Sequence, residues 1–287
     1  MSRSIGFLIV LILVACGGAP VTRAPAARQT AVNMSEVPIL PVISPQMRAL
    51  YVDGQKAGNN PRVFSKLGDC MTDNAEFLVP LAKGEYELRQ YTPLKPVIDK
   101  FIGMPTRQGK PWMLDSFASP SLSAAGGFNS AGPLDSTWSD PQWCQSGETP
   151  LACEYRVTRP SIALIMFGTN DVAATEPEAY EAYLRLIVTQ TLERKIVPML
   201  HTFPTRPENP ERSALLNEIV VKVATNMDVP LVNLNRALAA LPNQGVGITD
   251  TTHLSIPPDG RVDVFSAENL GYGFTQRNLV TLQALEV

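Results

Sequence analysis

From Ile162 to Phe167 the chain reads I-A-L-I-M-F, six apolar positions in a row closed by Gly168. An unbroken run of this length predicts a strand covered on both faces, as in the centre of a parallel sheet. The period then changes. Tyr180, Tyr183, Leu184 and Ile187 recur at i, i+3, i+4 and i+7, the stripe of an amphipathic helix, with Thr175 placed to cap it and Pro177 suited to its first turn. Ile196 to Leu200 reads as the next strand, where Pro198 lacks an N–H and predicts an irregular ladder. Leu216, Ile219, Val220 and Val223 give the following helix one apolar face. Leu231 to Leu234 is a short strand, and Thr275 to Leu285 a last helix with Leu279, Leu282 and Leu285 inward.

Earlier in the chain, Val63 to Thr72 reads V-F-S-K-L-G-D-C-M-T, a buried strand that ends in Gly-Asp and delivers a small side chain, Cys70, to a sheet edge. Phe77, Leu78 and Leu81 fall at helical spacing within Asp73 to Ala82, and Gly84 stops that helix. Arg48 to Gly58 adds a short helix or turn before the strand. Tyr91 to Pro160 is rich in Pro, Gly and Ser, with Trp112, Trp138 and Trp143 among them. It reads either as a wall over a binding site or as a structural insertion. Strands alternating with helices argue for a parallel sheet with helices on both faces, and such sheets bind ligands at the carboxyl ends of their strands.

Length and charge narrow the classes. The 287 residues, 45% of them hydrophobic, suffice for one α/β domain of generous size. A net charge of -3 without a Lys/Arg cluster excludes an electrostatic footprint for nucleic acid. Residues 1 to 15 pair a basic start with an apolar run from Ile5 to Ala15, long enough for a signal peptide and too short to span a bilayer. Export is therefore expected. Residues 16 to 45, rich in Ala, Pro, Thr and Val, read as a flexible tether, leaving 46 to 287 as the domain. Cys144 and Cys153, close together in a Gly- and Pro-containing loop, can close a local disulfide in an oxidising compartment, which leaves Cys70 as a free thiol once Cys16, at the end of the apolar run, is assigned to a lipid anchor.

Three separated stretches carry the chemistry: Gly68-Asp69-Cys70, Gly168-Thr169-Asn170-Asp171 and Asp250-Thr251-Thr252-His253. In this order they resemble the blocks of the SGNH hydrolases, also called GDSL esterases, with Cys where that family carries its nucleophilic Ser. The resemblance implies a three-layer α/β/α fold with a parallel, flavodoxin-like central sheet. It also implies hydrolysis of carboxylic or acetyl esters, or a related acyl transfer, with no cofactor. Cys70 would be the nucleophile, His253 the base and Asp250 the group that orients it. The oxyanion would be held by the Cys70 N–H, the Asn170 amide and a glycine N–H, assigned to Gly127 because G-F-N-S resembles the family's Gly-x-Thr-Ser variants. Asp171 would fix its loop.

The residues support these roles independently. Acyl transfer needs a nucleophile, a base, an orienting group and oxyanion donors, and of the chain's two histidines only His253 has a carboxylate three positions before it. His201 would lie near the rim. A thiol at a helix start beside an imidazole can ionise at neutral pH. The G-x-S-x-G elbow, a P-loop and His-rich metal spacings are absent.

Leu13-Val14-Ala15-Cys16 resembles a bacterial lipobox, which implies lipidation of Cys16 and a lipoprotein anchored to the extracytoplasmic face of a bacterial membrane. The substrate would be a small-molecule or glycan ester. The competing reading is a non-catalytic lipoprotein that binds a cell-surface carbohydrate or other ligand in the same cleft.

Overall fold

A computed structural model describes residues 32–107 and 114–286. The expected signal peptide, Cys16 and Trp112 lie outside the described residues. In chain order the elements are α1 (Pro45–Lys56), β1 (Asn60–Gly68), α2 (Val79–Ala82), α3 (Lys95–Phe101), α4 (Pro150–Thr158), β2 (Pro160–Met166), α5 (Asp171–Ala174), α6 (Pro177–Glu193), β3 (Val197–His201), α7 (Pro210–Asn226), β4 (Leu231–Val232), α8 (Leu234–Leu238) and α9 (Gly273–Glu286). None of the described helices is long and apolar enough to cross a membrane.

The four strands pair in parallel in the order β1-β2-β3-β4. Beyond β1, Ala124 forms a single parallel bridge to Gly68, so the flavodoxin position outside the first strand is present as one residue pair. All seven residues of β2 are buried, as the apolar run predicts, and helices cover the sheet on its faces. Phe64 on β1 meets Phe101 of α3 and Phe117 edge-on, with ring centroids 5.0 and 5.4 Å away. Burying each such ring contributes about 1.5–3 kcal/mol.

Four local expectations need correction. The helix expected over Asp73 to Ala82 shrinks to α2, since Asn74 Oδ1 accepts the Glu76 N–H at 2.9 Å and Leu78 takes φ 67°, which turns the chain out of the helical path. Thr175 follows α5 and does not cap α6, whose first turn begins after Glu176. The ladder is regular at Pro198: Ile162 to Ile165 pair with Val197 to Leu200 without a break. Leu200 sends its N–H to Pro230, so Pro198, two residues earlier, faces the same side before β4 has begun, and no ladder bond is lost. Finally, residues 33–44 do not read as a tether. The Asn233 side chain donates to Met34 O and Val37 O, both at 3.1 Å, and its N–H donates to Ile39 O. The compact unit therefore begins at Val32.

Among its described residues, the stretch from Tyr91 to Pro160 contains two α-helices, α3 and α4, that its composition hides. Thr149 caps α4 by accepting the Ala152 N–H, and Pro150 opens it. Cys144 and Cys153 form a disulfide there. Buried Glu154 on α4 accepts hydrogen bonds from Ser65 Oγ at 2.7 Å, the Leu122 N–H at 2.9 Å and Arg107 at 3.0 Å. One carboxylate thus fastens the insertion to β1.

The C-terminal helix α9 is buried along most of its length and carries Asn278, which donates to Asp263 Oδ1 at 2.7 Å. Burial, with the Glu76 charge adding to it, pushes the Asp263 carboxyl up to about 8, against the pull of Asn278. The unfolded chain releases this proton near pH 4 and the folded chain keeps it until about pH 8, so stability falls as pH rises through that window. Asp263→Asn should therefore gain stability relative to the native chain between pH 5 and pH 8, by about 1 kcal/mol or more, because each tenfold difference in proton affinity between folded and unfolded chain is worth about that much. Urea midpoints at the two pH values check this, and an unchanged difference would contradict it.

Candidate active site

Two of the three motif stretches, Gly68-Asp69-Cys70 and Gly168-Thr169-Asn170-Asp171, lie at the carboxyl ends of the paired strands β1 and β2. β1 ends at Gly68, whose place is set by contact: a Cβ there would lie 2.3 Å from Thr72 Oγ1 and 2.4 Å from Met166 O. Gly68 O accepts the Ala125 N–H at 3.4 Å, and its N–H donates to Ser123 O at 3.1 Å. The 123–127 segment therefore lies alongside the turn that carries Cys70.

That turn is not a helix start. The N–H groups of Thr72 and Asp73 both donate to Asp69 O, closing one turn, and the chain does not become helical until Val79. The acidity that a helix N-terminus would lend to the thiol is missing. Cys70 is half-buried, and burial, reinforced by the Asp69 charge and opposed by Arg206, pushes its thiol up to about 11. At neutral pH it is a thiol, and reaction needs a base.

The residues expected as base and orienting group, His253 and Asp250, are in contact. His253 Nδ1 lies 2.7 Å from Asp250 Oδ2, and Asp250 Oδ1 accepts the backbone N–H groups of Thr252 and His253. Hydrogen bonding from His253, followed by its charge, holds the Asp250 carboxyl below the usual carboxylate range. With Nδ1 engaged, Nε2 is the nitrogen left to accept a proton. The His253 side chain is 33% exposed. No hydrogen bond joins it to the Cys70 thiol in this structure.

Asn170, expected as an oxyanion donor, does not cap α5 with its side chain. Its amide donates one N–H to Phe128 O at 2.7 Å, which leaves the second N–H to give. Gly127 adopts φ 86°, a conformation that favours glycine, and no atom lies near the Cβ position. Asp171 is fully buried and accepts the Ser130 N–H at 3.1 Å and the Ser130 Oγ–H at 2.7 Å. It thereby ties the Gly127 loop to the Asn170 loop, the structural role expected for it.

His201 is excluded as the base. It ends β3, is buried, and has no hydrogen bond to either ring nitrogen. Burial, together with the Arg277 charge, pushes it down to about 3, so it is neutral and out of reach of solvent.

Two features were not legible in the sequence. Arg277, on α9 and 1% exposed, reaches the turn just after Cys70. A cavity of about 440 Å³ opens beside the Asp250–His253 loop, lined by Thr205, Pro207, Asn243, Gln244, Ile248 and Thr251. Arg206, between the lining residues Thr205 and Pro207, donates to Thr169 O at 3.4 Å. Among the described residues, one group of potential metal ligands lies together, Cys144, Glu148 and Cys153, and the disulfide joins two of its three donors.

Residues 125–256 match the GDSL-like Lipase/Acylhydrolase family. The matched range contains Gly127, Asn170, Asp250 and His253 and begins after the turn that holds Cys70. No curated protein matches the chain. Among solved structures, the chain is similar to a psychrotrophic esterase from Pseudoalteromonas sp., at 12% identity and a TM-score of 0.45, over 78% of this chain and 97% of that one. It is similar to a lipase/acylhydrolase from Enterococcus faecalis at 17% identity and 0.47, over 77% and 94%. A third likeness is to an acetylxylan esterase from Geobacillus stearothermophilus, at 16% identity and 0.48, over 78% and 94%.

Proposed function

We propose that this chain is an exported ester hydrolase of the GDSL-like kind in which Cys70 replaces the usual serine. The observation that carries the reading is the 2.7 Å contact between His253 Nδ1 and Asp250 Oδ2, within the sequence range that matches the family. His253 Nε2 takes the proton of the Cys70 thiol as sulfur attacks the ester carbonyl. The oxyanion then draws on the Cys70 and Gly127 N–H groups and the free N–H of Asn170. Collapse expels the alcohol, which takes the proton back from His253, and leaves a thioester on Cys70. Water, deprotonated by His253, releases the acid.

A thiolate leaves a tetrahedral intermediate more readily than an alkoxide, so attack on a plain alkyl ester tends to revert. The site is therefore suited to activated esters or to acyl transfer. The cavity beside His253 offers uncharged polar and apolar walls for the alcohol part of a small-molecule or glycan ester. We further propose that the protein is a lipoprotein held at an extracytoplasmic membrane face through Cys16.

A second reading is favoured by the unjoined, weakly acidic thiol: a scaffold that binds a surface carbohydrate or similar ligand without turnover. Turnover of p-nitrophenyl acetate by the native chain, Cys70→Ser and Cys70→Ala separates the two. The esterase reading expects hydrolysis in the native chain or in Cys70→Ser, and loss in Cys70→Ala. Equal silence in all three would favour the binding reading.

A further inference from the structure

We propose that Arg277 is a positioning residue for Cys70, clamping the turn that follows it and holding a buried positive charge against that turn. The inference rests on Cys70 being the nucleophile of the proposed site, but its test reads thiol reactivity and needs no turnover.

The guanidinium is held from three sides. One terminal nitrogen donates to Met71 O at 2.6 Å and the other to Thr72 Oγ1 at 3.0 Å. Its carbon lies 3.6 Å from the centroid of the Phe77 ring, a cation–π contact buried away from solvent. Met71 and Thr72 are the two residues that follow Cys70, so the clamp sits directly on the turn. Thr72 in turn packs against Gly68, which passes the constraint to the end of β1.

A fully buried charge is costly unless paired. Two groups on the clamped turn favour the charged form of Arg277, first Asp69 and then Cys70, while burial pulls its pKa down to about 9. Asp69 is itself buried, accepts the Met71 N–H at 3.0 Å and is raised to about 6, chiefly by burial, with Arg277 opposing that rise. Lys66 on β1 and His201 on β3 also feel Arg277, and Arg206 faces Cys70 from the loop after β3. His201 is neutral and Lys66 donates to Phe117 O. This leaves Arg277 as the cation that both touches the Cys70 turn and offsets Asp69, the anion that opposes ionisation of the thiol. The planar guanidinium fork presents separate N–H groups to the two acceptors in a fixed geometry, where a lysine offers a single point charge.

The test is alkylation of Cys70 in the full chain at pH 8.5 by neutral iodoacetamide and anionic iodoacetate, read by mass spectrometry of the Cys70 peptide. Arg277→Met is expected to slow iodoacetamide about tenfold and iodoacetate more, lowering the iodoacetate-to-iodoacetamide ratio at least threefold. One charge at close range changes the acidity of a thiol by about tenfold. Arg277→Lys should keep the ratio within twofold of native. Thr72→Val, which removes one acceptor and no charge, should slow both reagents and leave the ratio unchanged.

A merely structural role would move both reagents together, so an unchanged ratio in a folded Arg277→Met variant overturns the proposal. Faster alkylation by both reagents does so as well. Should Arg277→Met lack a cooperative melt, Thr72→Val decides: native rates there would remove the clamp.

Discussion

His253→Ala is expected to lower kcat/KM for p-nitrophenyl acetate by about 10²- to 10⁴-fold, the usual worth of a positioned general base. The effect should sit at the upper end here. In many thiol enzymes the nucleophile is already ionised and the base matters less, but the Cys70 thiol is pushed up to about 11 by burial and by Asp69. It stands in a turn, without the help of a helix N-terminus. Ionisation must therefore be coupled to attack, and in the proposed site His253 Nε2 takes the proton. Asp250→Asn should cost less, because the ring keeps one hydrogen-bond partner while losing the carboxylate that stabilises its protonated form. Initial rates at saturating and limiting substrate check both variants. Native turnover in His253→Ala would remove this histidine from the reaction.

Asn170→Ala is expected to lower kcat by about 10²- to 10³-fold, or about 3 kcal/mol, with KM little changed, because an oxyanion donor acts on charge that develops only in the transition state. The geometry sets a condition on this figure. One N–H of the Asn170 amide already binds Phe128 O at 2.7 Å, which orients the group and leaves the other free. Asn170→Asp is the sharper variant: it nearly preserves the shape, removes both donors and sets a negative charge against Phe128 O and the oxyanion. It should be at least as inactive as the alanine. A rise in KM with unchanged kcat would make Asn170 a substrate-binding residue.

How much of this was legible from residues alone depended on the range over which each constraint acts. β2 and α6 could be read because their periods are local: an unbroken apolar run for a strand buried on both faces, and a repeat of three and four for a helix with one buried face. The contact between Asp250 and His253 was legible for the same reason, since three residues of loop suffice to bring them together. α2 was overestimated because an Asx turn at Asn74 and the left-handed Leu78 outweigh helical spacing. α4 was passed over within a Pro-, Gly- and Ser-rich stretch, although Thr149 followed by Pro150 is a helix-start signal. The acidity of Cys70 was misjudged because it follows from burial and from Asp69, neither of which spacing reveals. Arg277 lies some two hundred residues from the turn it holds, and nothing near it in sequence marks it as more than a polar position on a buried helix.

The central claim is that Cys70 becomes acylated. The most direct measurement is mass spectrometry of the Cys70 peptide after brief exposure of the native chain and of His253→Ala to p-nitrophenyl acetate, quenched in acid to preserve a thioester. Acetylated Cys70 in the native chain, lost on treatment with hydroxylamine and strongly reduced in His253→Ala, is the expected result. An unmodified Cys70 peptide, or acetylation equal in the two proteins, would contradict it.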